Sequence, residues 1–79
     1  MTVKLRTIYV AEMQKILADH PDLRGVLETM YAAGRFTLRK QGKKYALCSY
    51  ERKEMRVKEV LYVTPTIEQM VPFIKLIAN

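Results

Sequence analysis

Seventy-nine residues make one domain, 1–79, near the lower limit for a chain that folds around its own core. An apolar content of 49% excludes a disordered polyelectrolyte, and a net charge of +6 favours anionic partners such as nucleic acid, an acidic protein or a membrane surface. A single cysteine, Cys48, excludes an internal disulfide and a multi-cysteine zinc site, and reads as a small strand residue with no base nearby in sequence.

Thr2 to Leu5 reads as a short strand with Val3 and Leu5 on one face, or as a disordered lead-in. Thr7 is the candidate cap of a first helix, in which Tyr9, Met13, Ile16 and Leu17 share one face. Pro21 disfavours helical geometry at the residue before it, so this helix ends near Asp19. Asp22 is the next candidate cap. Leu23, Val26, Leu27, Met30 and Tyr31 follow at helical spacing. Gly25 reads as a tolerated first-turn residue, and Gly34 as the left-handed end of the helix.

With Gln41-Gly42 as a hairpin turn, Leu38 faces Tyr45 and Phe36 faces Leu47, so the four apolar residues share a sheet face. Thr37, Arg39, Lys44, Ala46 and Cys48 take the other face, with Arg39 opposite Lys44, a like-charge pair that needs solvent or an anion. A third strand holds Met55, Val57, Leu61 and Val63 on one face together with Glu59. A bulge near Lys58-Glu59 would instead gather Met55, Val57, Val60 and Tyr62. Thr64-Pro65 reads as the start of a last helix, faced by Ile67, Met70, Val71, Ile74 and Ile77. Pro72 predicts a kink or break near Glu68 to Val71.

The stretch from Arg35 to Val63 holds nine basic residues against three acidic ones, which accounts for the whole net charge of +6. Its cations are Arg35, Arg39, Lys40, Lys43, Lys44, Arg52, Lys53, Arg56 and Lys58, and Tyr50 falls on the basic side of the expected hairpin, where an aromatic ring can stack on an unpaired base. Gly25, Gly34 and Gly42 are isolated and form no phosphate-cradling loop. Asp19-His20-Pro21-Asp22 reads as a solvated interhelical turn, and Glu51 and Glu54 as charges in a surface turn. No spaced set of residues suits a metal, a cofactor or a catalytic nucleophile, so the expectation is a protein that is not an enzyme. No segment reaches the roughly 20 apolar residues that cross a bilayer, and no signal-peptide run opens the chain. Cytoplasmic location without a membrane partner is the corresponding expectation.

The run LRGVLETMYAAGRFTLRKQGKKYALCSY, residues 23–50, resembles the recognition helix and wing of a winged helix-turn-helix domain. In that family a helix ends at a glycine and enters a basic hairpin that touches the DNA backbone. The chain departs from the pattern in three ways. One clear helix precedes helix two where the family has two, a third strand follows the hairpin, and Arg24 is the only cation of helix two able to read a base.

These readings combine into one α+β domain of order α-α-β-β-β-α, a three-stranded antiparallel sheet with helices packed on one face and a basic opposite face. They imply a small non-catalytic binding protein that engages nucleic acid through the basic hairpin and sheet. The alternative is a protein-interaction module, such as a small phage-type inhibitor or regulator, that docks on an acidic surface. A third expectation is a homodimer through Phe73, Leu76 and Ile77, which widen the apolar arc of the last helix beyond one face; helix one or two could cover the same residues within one chain.

Overall fold

The computed structural model describes residues 4–78. In chain order the elements are β1 (Leu5–Thr7), α1 (Val10–Asp19), α2 (Leu23–Ala33), β2 (Phe36–Gln41), β3 (Lys44–Glu51), β4 (Arg56–Thr64) and α3 (Ile67–Ala78). The strands form one antiparallel sheet in the order β1-β2-β3-β4, and the helices cover one face of it. The α+β class agrees with the sequence reading, but the sheet has four strands rather than three. The added strand is β1, paired with Arg39 to Gln41 of β2. Three residues carry too little alternation to mark a strand by themselves. The strand expected from Thr2 is found from Leu5; Thr2 and Val3 lie outside the described residues.

The helices end where expected, α1 at Asp19 and α2 at Gly34, but the cap at each helix start differs from expectation. Thr7 does not cap α1. It closes β1, and its hydroxyl accepts a hydrogen bond from Arg39 Nη1 at 2.7 Å. The cap position falls to Tyr9, which makes no side-chain cap bond and stands 63% exposed, outside the core face of Met13, Ile16 and Leu17. Asp22 occupies the cap position of α2 without capping it, because its carboxylate instead meets the Lys75 ammonium of α3 at 2.8 Å. Gly34 ends α2 in the left-handed region at φ 71°, its amide donating to the Met30 and Tyr31 carbonyls. The last helix is capped by Thr66, not Thr64: Thr66 Oγ1 accepts the Gln69 amide at 3.3 Å. Thr64 ends β4, and its hydroxyl donates to the Thr66 carbonyl at 2.8 Å. Pro72 sits inside a continuous α3, so the expected break is absent. Burial of Ile67, Met70 and Ile74 outweighs the one backbone bond that proline removes.

The hairpin turns at Gly42-Lys43, one residue later than expected, with Gln41 opposite Lys44. Gly42 takes φ 61° at the first turn position, where a side chain would be strained. Leu38 therefore faces Leu47 and Phe36 faces Ser49. The pairing has slid by two residues, an even number, so every side chain keeps its expected face. Arg39 now lies opposite Ala46, and the like-charge pair with Lys44 does not occur.

Two irregularities interrupt the β3–β4 ladder, between Leu47 and Cys48 and between Ser49 and Tyr50. They leave Leu61 and Lys58 of β4 without partners. The expected bulge at Lys58 is present. The second, at Leu61, was not expected, and it puts Tyr62 on the helix side while Val57, Val60 and Val63 follow Tyr50, Cys48 and Ala46 onto the open face. Met55 belongs to neither face; it lies in the turn before β4 at φ 53° and is 78% exposed. The core gathers Leu23, Leu27 and Met30 of α2, Leu38 and Leu47 of the sheet, and Met70 and Ile74 of α3.

Candidate nucleic-acid interface

Strand pairing leaves Arg39 within β2, opposite Ala46, and divides the other expected cations between two ends of the sheet. Lys40, Lys43 and Lys44 surround the β2–β3 turn. Lys40 rises on the helix side and lies over the Tyr45 ring, 3.9 Å from its centroid, while Lys43 and Lys44 are exposed. At the other end, the Tyr50 amide donates to the Arg35 carbonyl at 2.7 Å, which brings Arg35 to the β3–β4 turn with Arg52 and Lys53. The Arg52 stem closes over Gly34, where an added Cβ would meet Arg52 Cδ at 3.0 Å. Lys58 projects from its bulge nearby, and Arg56 is held by Glu54. β3 joins the two ends, and its eight residues span roughly 23 Å.

Among the described residues, Arg56 is the only one of the nine cations in an ion pair. Outside this stretch, Arg6 is paired with Glu12 at 2.9 Å and Lys75 with Asp22. Among the described residues Lys4, Lys15 and Arg24, also outside it, are in no ion pair, but the whole net charge of +6 falls within residues 35–63.

The face away from the helices is not uniformly basic. Val57, Val60 and Val63 cross it as a strip, with Val60 and Val63 about two-fifths exposed. Between this strip and β2 lie Ala46 and Cys48, both fully buried although no helix covers them. They are small side chains shaded by larger neighbours, among them Arg39 and Val63 across from Ala46. Burial pushes the Cys48 thiol above its ordinary pKa, opposed by the charge of Arg39, so the nucleophilic thiolate is disfavoured. Tyr50 is half-buried on this face opposite Val57.

The spacing places Tyr31 on the core stripe of α2, yet it is 42% exposed and lines a groove with Thr37 and Leu38 of β2. Burial raises its pKa, while the Leu38 amide, the Arg39 charge and the Thr37 hydroxyl pull it down. Its place at the end of the α2 stripe, just before Gly34, was the available signal. Of the three residues expected at a dimer contact, Phe73 stacks on Tyr62 and Ile77 packs against the core. Leu76 alone stands out, at 66% exposure.

In the Asp19 to Asp22 turn, His20 Nε2 lies 3.4 Å from Glu68 and Asp22 is committed to Lys75. No cluster of three or more His, Cys, Asp or Glu side chains able to hold a metal occurs among the described residues. No helix among the described residues is long and apolar enough to cross a membrane. Comparison of the chain with protein-family models, curated sequences and solved structures finds no match.

Proposed function

We propose that this is a small non-catalytic protein that binds nucleic acid along β3, with the cations of its two ends on phosphates. The observation that supports this reading is the set of unpaired cations at both ends of one strand, within the stretch that holds the whole net charge of +6. Phosphates on one strand of a duplex recur about every 3.4 Å of helix axis, so a span of roughly 23 Å reaches about seven steps. Tyr50 supplies an aromatic surface for an unstacked base at the Arg35 end of the strand. The helix that a winged domain would insert in the groove is poorly equipped here: the exposed face of α2 offers Arg24 against Glu28.

A second reading draws on the valine strip. Exposed Val60 and Val63, flanked by cations, also suit an acidic protein surface with an apolar centre.

The test is a charge reversal that spares the fold. Arg39 bonds Thr7 and Lys40 covers Tyr45, so reversing them disturbs packing as well as charge. The quadruple variant K43E/K44E/K53E/K58E alters exposed positions only. Wild-type affinity for a nucleic-acid oligomer should fall with salt at a logarithmic slope of about −4, and the variant should lose both the affinity and the slope. Unchanged retention of nucleic acid by a folded variant would rule the reading out. Loss of a protein partner from a nuclease-treated lysate would support the second one.

A further inference from the structure

Strand β1 covers only half of the edge of β2. It pairs with Arg39, Lys40 and Gln41, then the chain leaves at Ile8 to start α1. Among the described residues, no strand lies beside Phe36, Thr37 and Leu38 on that side. The phase of the ladder fixes which of their backbone groups point outward. Because the Tyr50 amide bonds the Arg35 carbonyl, alternate residues from Phe36 direct their N–H and C=O away from β3. Lys40, in the same phase, is the residue that meets Arg6 of β1.

Along this open edge runs a cavity of about 650 Å³. It straddles the edge rather than lying on one side. Its helix side is apolar, with Val10, Met13 and Leu17 of α1 facing Phe36 and Leu38. Its open-face side is polar, with Thr37, Arg39 and Tyr50. Arg24 also lines it, and among the described residues no acidic side chain does. Neither Arg24 nor Arg39 is in an ion pair among the described residues, and Arg39 Nε is buried without a hydrogen-bond partner.

We infer that this edge receives an extended segment of another protein in which apolar and acidic residues alternate. A strand added here sends successive side chains to opposite sides of the sheet. One set enters the pocket of Met13, Leu17, Phe36 and Leu38, and the other meets Arg39. The backbone of the segment bonds the outward groups of Phe36 and Leu38, as in other strand additions. A second copy of this chain is the poorer occupant, since it would bring its own Arg35 and Arg39 to an edge that already carries both. The Tyr31 ring lines the same groove as Leu38, so the edge is not left bare. The site is distinct from the exposed lysines of the two sheet ends and does not depend on the nucleic-acid reading.

The experiment is an amide NMR titration of the full chain with a capped heptapeptide alternating valine and glutamate. The expected result is saturable binding that shifts Phe36, Leu38, Val10 and Gln14 and protects the Phe36 amide from exchange. Arg24→Glu and Gln14→Glu, both at exposed helix positions, should each weaken it about tenfold by placing a carboxylate in the groove. The quadruple lysine variant should bind the peptide as the wild type does, which separates this site from the phosphate surface. Equal binding of a valine–lysine peptide, or of the same residues in two blocks, would overturn the inference. So would shifts confined to the β2–β3 turn, pairing of two copies through β2, or no binding at millimolar peptide.

Discussion

The rings of Tyr62 on β4 and Phe73 on α3 stack with centroids 4.2 Å apart and planes 19° from parallel. This contact exists only because the bulge at Leu61 turns Tyr62 toward the helices. It places Phe73 in the core of one chain. Phe73→Ala should cost about 3 kcal/mol, and a double-mutant cycle with Tyr62→Leu should recover about 1 kcal/mol of coupling. Phe73→Asp should unfold the protein in circular dichroism. A dimer that Phe73→Asp converts to a folded monomer in sedimentation would instead assign Phe73 to an interface between copies.

Leu27 and Leu47 face each other's layer, one from α2 and one from β3, and are 4% and 0% exposed. Alanine at either position should cost about 2–5 kcal/mol by denaturant titration. In so small a domain, that change approaches the total stability.

The two glycines of α2 should respond in opposite senses. Gly34 has φ 71°, and an added Cβ would meet Arg52 Cδ at 3.0 Å. Gly34→Ala should lower stability by about 1–2 kcal/mol. Gly25 has no atom within 4 Å of an added Cβ, so Gly25→Ala should raise it by about 0.5 kcal/mol. Thermal melts of the two variants on either side of wild type would agree with this assignment.

Met55 holds a left-handed backbone at φ 53° with its side chain 78% exposed. No packing compensates the steric cost. Met55→Gly should therefore stabilise the β3–β4 turn by about 0.5–1 kcal/mol, read as a higher Tm.

The pair between Asp22 and Lys75 predicts a pH dependence. The hydrogen bond from Lys75 is the main reason the Asp22 carboxyl sits below its ordinary value of 3.8. A depressed folded-state pKa contributes stability that is complete above the ordinary carboxylate value and is lost as pH falls through the folded-state value. Lys75→Met should thus lower the Tm at neutral pH, and the two melting points should converge in strong acid. The NMR titration of Asp22 should move up toward 3.8 in the variant.

Sequence periodicity carried the fold as far as periodicity reaches. The α2 stripe of Leu23, Val26, Leu27 and Met30 faces the core, and Gly34 closes the helix as its lack of a Cβ allows. The faces of β2 and β3 were legible although the register was not, because a two-residue slip leaves alternation unchanged. What escaped depends on contacts far along the chain. Asp22 would cap α2 if Lys75 were not beside it, and Thr7 would cap α1 if β2 did not draw it into a strand. The spacing of the cations was visible, but their division between two ends of the sheet required the ladder. The groove beside β2 left no trace in sequence, since it is made by where β1 stops.

The bulges of β4 also bear on how the sheet meets other chains. β4 is the outer strand opposite β1, nine residues long, and a regular strand of that length would invite pairing without limit. Lys58 and Leu61 break its rhythm, and Arg56, Lys58 and Glu59 add charge along it. That border cannot template a continuous ribbon. Growth of the sheet past β4 is thereby discouraged, whatever meets it at its other border.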